Sequence, residues 1–101
     1  MSRSKQLEKA IADYLELMGY DFKRVDSYRC YRCSAIFNRR AKGFPDFMAY
    51  NDRRLLFVEA KTGTGRLTKE QKLFKIAMEA QGIPYIVCRD SIDNLMYFFD
   101  K

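Results

Sequence analysis

The sequence predicts an α/β fold, a central mixed β-sheet flanked by helices, with its elements in the order α-β-β-β-α-β-α. Two observations carry this. Three segments place apolar residues at helical spacing, and between them lie short apolar runs of strand length bounded by Gly, Pro, Asn and Asp. A chain of 101 residues, 48% of them hydrophobic, has room for one core and hence for one domain, residues 1–101. Packing the helices on a sheet is the layered arrangement that buries all of these faces together.

The first helix is marked by Leu7, Ala10, Ile11, Tyr14, Leu15 and Met18 at helical spacing, with Ser4 as its expected cap and Gly19 where a left-handed stop is wanted. From Tyr20 to Asn38 aromatic, β-branched and cationic residues mix without helical period, which predicts one or two strands joined near Asp26 and Ser27. Gly43, Phe44 and Pro45 punctuate the chain. Asp46 to Tyr50 then reads as a strand that turns at Asn51 and Asp52 into a second one, Arg54 to Lys61. After a glycine-containing loop, Thr62 to Gly65, the pair Thr68 and Gln71 has the spacing of a capping box. It opens a helix carrying Leu73, Ile76, Ala77 and Ala80, which Gly82 closes and Pro84 keeps from continuing. Tyr85 to Cys88 suits a strand covered on both faces. Asp90 or Ser91 is the expected cap of a last helix with Ile92, Leu95, Met96 and Phe99.

The net charge of +6, from 19 basic and 13 acidic side chains, favours a polyanionic partner. Lys23, Arg24, Arg29, Arg32, Arg39, Arg40 and Lys42 crowd the stretch before Pro45, interleaved with Tyr20, Tyr28, Tyr31 and Phe37, so phosphate contacts and base stacking are both available there. No apolar run approaches the roughly 20 residues that cross a bilayer, and the polar N-terminus lacks a signal-peptide core, so a cytoplasmic location and no membrane partner are expected. Three cysteines without a secretory signal argue for reduced thiols. Cys30 and Cys33 form a C-x-x-C, but with no second pair and no histidine they do not make a zinc site, and their alternating context reads as strand or hairpin thiols.

The chemistry concentrates around the second strand of the hairpin. Glu59 and Lys61 are two positions apart and share a face with Leu55 and Phe57, while Leu56, Val58 and Ala60 lie opposite. Asp46 opens the antiparallel neighbour, which brings it beside the Glu59 end. Two carboxylates so close repel each other, and a hard divalent cation relieves this, so Asp46, Glu59 and the Ala60 backbone carbonyl are candidate ligands for magnesium, with manganese expected to substitute. Lys61 is then placed to orient a water or to stabilise charge on a phosphoryl transition state. The plain alternative is a surface Glu–Lys pair and a turn aspartate.

The ordered motifs Gly43-Phe44-Pro45-Asp46, Phe57-Val58-Glu59-Ala60-Lys61-Thr62-Gly63 and Leu67-Thr68-x-x-Gln71, continued by Gly82-Ile83-Pro84 and the strand Tyr85 to Arg89, resemble the VRR-NUC branch of the PD-(D/E)XK nucleases. The resemblance implies a restriction-endonuclease-like core, a divalent metal on Asp46 and Glu59, and Lys61 as the catalytic lysine. It also implies a glutamate from the first helix in the metal site, with Glu8 the best match and Glu16 its competitor. Gln71 matches a glutamine of the family motif, a role that can coexist with capping. Arg29 to Ser34 departs from the pattern, because cysteines stand there in place of polar residues. Stand-alone members resemble structure-selective nucleases, which implies branched DNA such as a four-way (Holliday) junction as substrate. Two symmetric cuts would call for a homodimer, with Tyr97 or Phe98 as candidate interface residues. A nuclease for flaps or linear duplex, and a basic binding module without catalysis, remain open as alternatives.

Overall fold

The computed structural model describes residues 2–24 and 44–100, together with the backbone of 27–29 and 36–38. Helix α1, Arg3–Leu17, buries Leu7, Ile11 and Leu15, the stripe its periodicity predicts. Its cap is Ser2 and not Ser4. Ser2 is in extended conformation and its hydroxyl accepts from the Lys5 amide, while Ser4 lies inside the first turn, where its hydroxyl donates to Glu8 Oε2 at 3.1 Å. At the other end the Tyr20 amide reaches the Leu15 carbonyl and the Gly19 amide reaches that of Glu16. This paired closure requires the positive φ of +82° that glycine adopts freely.

Strand β1, Asp21–Arg24, is followed by β2, Ser27–Arg29, and β3, Ile36–Asn38, which pair with each other as a separate antiparallel ribbon. Then come β4, Phe47–Tyr50, and β5, Leu55–Lys61, joined by a turn in which Asn51 Oδ1 accepts from the Arg53 and Arg54 amides, both at 2.9 Å. Helix α2, Lys69–Ala80, strand β6, Tyr85–Arg89, and helix α3, Asp93–Phe99, complete the order. The main sheet runs β1-β4-β5-β6, antiparallel except for the parallel β5–β6 pair that the crossover through α2 produces. Around that sheet the order is the expected α-β-β-β-α-β-α, to which the β2–β3 ribbon is added.

The sheet is covered on both faces. Leu7, Ile11 and Leu15 of α1 and Leu95 of α3 pack with Phe47, Ala49, Leu56, Val58, Ile86 and Cys88 on one side. On the other, Phe74 of α2 meets Phe44, Phe57 and Tyr85 with ring centroids 5.3 to 6.2 Å apart. Alternation along β5 therefore sends Leu56 and Val58 to one core and Phe57 and Glu59 to the α2 side. The start of α3 differs from expectation: Ile92 occupies the cap position without a side-chain bond, Ser91 Oγ accepts from the Asp93 amide at 3.3 Å, and the Asp90 carboxylate is engaged elsewhere. No helix among the described residues is long and apolar enough to cross a membrane.

Burial pushes the Cys88 thiol up to about 11. The folded state thus holds this proton more tightly than the unfolded chain, whose thiol titrates near 9.0. The resulting stability is fully present below the unfolded value and is lost as pH rises toward the folded one. In urea unfolding, the advantage of the wild type over Cys88→Ala should hold constant to about pH 8 and shrink by about 1.4 kcal/mol by pH 10.

Candidate active site

The β4–β5 pairing places the carboxylates. Phe47 lies opposite Val58, so Asp46, one residue before β4, comes level with Glu59. Asp46 Oδ2 accepts from the Ala60 amide at 2.9 Å, which extends the ladder by a side chain just where the β4 backbone leaves it. Because a strand residue directs its N–H and C=O toward the same edge, the Ala60 carbonyl also faces the Asp46 side. Ala60 itself is partly buried, and its neighbours Glu59 and Lys61 point to the α2 face.

Glu59 is only 2% exposed, so its carboxylate depends on partners. Gln71 Nε2 donates to its Oε2 at 3.0 Å and the Tyr85 hydroxyl reaches the same oxygen at 3.5 Å. The other end of the Gln71 amide completes the capping box: its Oε1 accepts from the Thr68 amide at 2.9 Å, and Thr68 Oγ1 accepts from the Gln71 amide at 3.1 Å. One buried side chain thus starts α2 and anchors Glu59. Gln71→Ala should cost about 1 to 2 kcal/mol in urea unfolding, since the cap is lost and a buried carboxylate loses a donor, whereas Gln71→Glu keeps the cap but sets two carboxylates together.

Glu8 and Glu16 part company. Glu8 sits on α1 toward the Asp46 end of the sheet, ion-paired with Arg24, whose strand position lies opposite Phe47 and whose guanidinium is 5.1 Å above the Phe47 ring. Exposed Glu16 is at the opposite end, near Asp21 and Tyr50. Among the described residues no three His, Cys, Asp or Glu side chains come together closely enough to hold a metal, so Glu8, Asp46 and Glu59 are not gathered into one cluster. An open groove of about 740 Å³ runs past Glu8, lined also by Ser2, Lys5, Lys9, Phe22 and Arg24. Of the basic candidates, Arg29 has only its backbone described, in β2, and Arg32, Arg39, Arg40 and Lys42 lie outside the described residues, as do Cys30 and Cys33.

The sequence did not single out Tyr85, and it marked Arg24 only as one of the basic residues before Pro45 and not as a partner of Glu8. Tyr85 meets Glu59 because β5 and β6 pair in parallel with Phe57 opposite Tyr85, and Arg24 meets Glu8 because α1 packs beside β1. Neither contact has a local spacing that would reveal it.

The mixed four-stranded sheet flanked by helices is of the restriction-endonuclease-like class of folds. The chain belongs to the VRR-NUC domain family, whose model matches residues 5–91, and it is therefore a nuclease-type domain. Among solved structures it is similar to a VRR-NUC domain, at 17% identity and a TM-score of 0.72, covering 99% of this chain and 97% of that one. It is also similar to Hjc from Archaeoglobus fulgidus, a Holliday junction resolvase from an archaeal hyperthermophile, at 18% identity and a TM-score of 0.55, covering 87% of this chain and 66% of that one. No curated protein sequence matches it.

Proposed function

We propose that the chain is a single PD-(D/E)XK nuclease domain, a divalent-metal-dependent DNA endonuclease selective for branched DNA such as a four-way junction and acting as a homodimer. The observation that carries the reading is the level placement of Asp46 and Glu59, with Lys61 next along the same face and Gln71 holding Glu59 in place. The junction as substrate is supported by the likeness to the archaeal resolvase.

The donor set fits a hard cation. Asp46, Glu59 and the Ala60 carbonyl offer oxygen only, which suits magnesium or manganese and not zinc. Glu8 would join by exchanging Arg24 for the metal. A divalent ion held there supplies Lewis acidity toward a phosphoryl oxygen and lowers the pKa of a water. The protein's own groups do the rest. Gln71 and Tyr85 fix the Glu59 carboxylate, the Asp46 bond to the Ala60 amide sets its orientation, and the Lys61 ammonium steers the attacking water or meets charge developing on the phosphate. Arg29, Arg32, Arg39, Arg40 and Lys42 bind the DNA backbone. For about five phosphate contacts, affinity for a junction should fall by on the order of a few hundredfold between about 50 and 200 mM salt in a titration by anisotropy. Of the two candidate interface residues Tyr97 is the exposed one, whereas Phe98 packs against the core beneath the Arg54 guanidinium.

The deciding experiment is cleavage of a labelled four-way junction, a linear duplex and a 5′ flap of matched sequence, with magnesium, manganese or chelator. Chelator-sensitive paired cuts confined to the junction are expected. Cutting of flap or duplex instead would redirect the substrate, and binding without any cutting would reduce the protein to a binding module.

A further inference from the structure

Just past Lys61 the chain is clasped from the end of β6. Asp90 has φ +60°, the only positive φ at a residue other than glycine among the described residues, a conformation that Asp tolerates better than most but that still opposes its Cβ. That backbone conformation has a geometric product. The Asp90 amide donates to the Lys61 carbonyl at 2.9 Å, and Asp90 Oδ1 accepts from the Gly63 amide at 2.8 Å and from Arg3 Nη2 at 2.9 Å. Arg89 Nη1 donates to the Gly63 carbonyl at 2.9 Å, so residue 63 is held through both its N–H and its C=O.

The held loop lies on the lysine. The Gly65 amide donates to the Thr62 carbonyl at 3.1 Å, folding the loop back, and a Cβ at Gly65 would stand 3.9 Å from Lys61 Cδ. The aliphatic stem of Lys61 therefore runs along a loop whose Gly63 is held by residues 26 and 27 places further on. Nothing in the E-x-K motif itself restrains this long side chain, which loses considerable rotamer freedom when it is fixed.

We propose that Asp90, helped by Arg89 and Arg3, is a positioning residue for Lys61: its clasp on Gly63 holds the loop that aims the ammonium. The proposal rests on the nuclease reading above for its kinetic consequence but not for its geometry.

The test compares Asp90→Gly with Asp90→Asn. Glycine adopts the positive φ without strain, so it keeps the backbone course while deleting the carboxylate; asparagine tolerates the same φ and keeps an acceptor for Gly63. On the four-way junction, kcat should fall by about ten- to hundredfold in Asp90→Gly with KM unchanged, and Asp90→Asn should restore most of it. In parallel, the rate at which an acetylating reagent modifies Lys61, followed by mass spectrometry without metal or DNA, should rise several-fold in Asp90→Gly and not in Asp90→Asn. Unchanged kcat in Asp90→Gly against an active wild type overturns the proposal. So does equal loss in both variants, which would assign the effect to charge pairing with Arg3. If the wild type cuts no DNA, the nuclease reading has failed, and the Lys61 modification rates decide the clasp alone.

Discussion

Asp46→Asn should lower the cleavage rate at saturating DNA by at least about a hundredfold while changing DNA affinity by less than about threefold. Asparagine is the informative substitution because the Asp46 carboxylate has two separable duties. Its Oδ2 accepts from the Ala60 amide where β4 has ended, a structural bond that the amide oxygen of asparagine can take over. Its negative charge, facing Glu59 across the end of the hairpin, is what a cation would require, and asparagine removes that alone. Asp46→Ala removes both, so it should add about 1 kcal/mol of destabilisation in urea unfolding to the same kinetic loss. Equal activity of Asp46→Asn and wild type would exclude a role for the charge. A parallel fall in binding would mean that Asp46 shapes the DNA surface instead. Single-turnover rates together with anisotropy titrations separate these outcomes, since affinity is assigned to the basic residues and chemistry to the end of β5.

The fold was legible in most places where a local pattern sufficed, but not on α2, whose expected apolar side of Leu73, Ile76, Ala77 and Ala80 is exposed while Phe74 packs against Phe57 and Tyr85 on the sheet. The Leu7, Ile11, Leu15 stripe, the Asn51 turn, the Thr68–Gln71 capping box and the glycine stops at 19 and 82 depend on residues at most a few places apart, and each stands in the structure as its spacing implies. Cap choice was less legible. Ser2 and Ser4 offer the same hydroxyl chemistry, and only the register of the buried stripe against the sheet decides which one starts α1. The same holds at α3, where Asp90 is drawn away from its expected cap role by Gly63 and Arg3. Between Tyr20 and Asn38 the expected junction near Asp26 and Ser27 falls between β1 and β2, but the mixture of aromatic and cationic residues has no single period to reveal β3 or the ribbon's separation from the main sheet. At the site, the neighbourhood of Asp46, Glu59 and Lys61 follows from a two-residue period and a hairpin. The Tyr85 contact with Glu59 spans 26 positions and exists only through the parallel register of β5 and β6.

Glu59→Gln should abolish detectable cleavage and, with it, the thermal stabilisation expected from magnesium or manganese. For the wild type, ion at about ten times its dissociation constant should stabilise the fold by about 1.4 kcal/mol and raise Tm by several degrees in a domain of this size. The variant should show less than a quarter of that shift. The geometry makes this a clean exchange: Glu59 is almost completely buried on the α2 face, and an amide of the same shape retains an oxygen that can accept from Gln71 and Tyr85. Packing against Phe57 and α2 is therefore preserved, while the charge that would hold a cation beside Asp46 is gone. A variant that still gains stability from metal would place the ion elsewhere and leave Glu59 as a structural carboxylate tied to the start of α2. Loss of the metal effect with cleavage intact would detach catalysis from that ion. Differential scanning fluorimetry across metal concentrations, run beside the cleavage assay on one preparation of each protein, distinguishes these results. The comparison with Asp46→Asn then tests whether the two carboxylates act as a unit: if they share one cation, the double variant should be no worse than either single one.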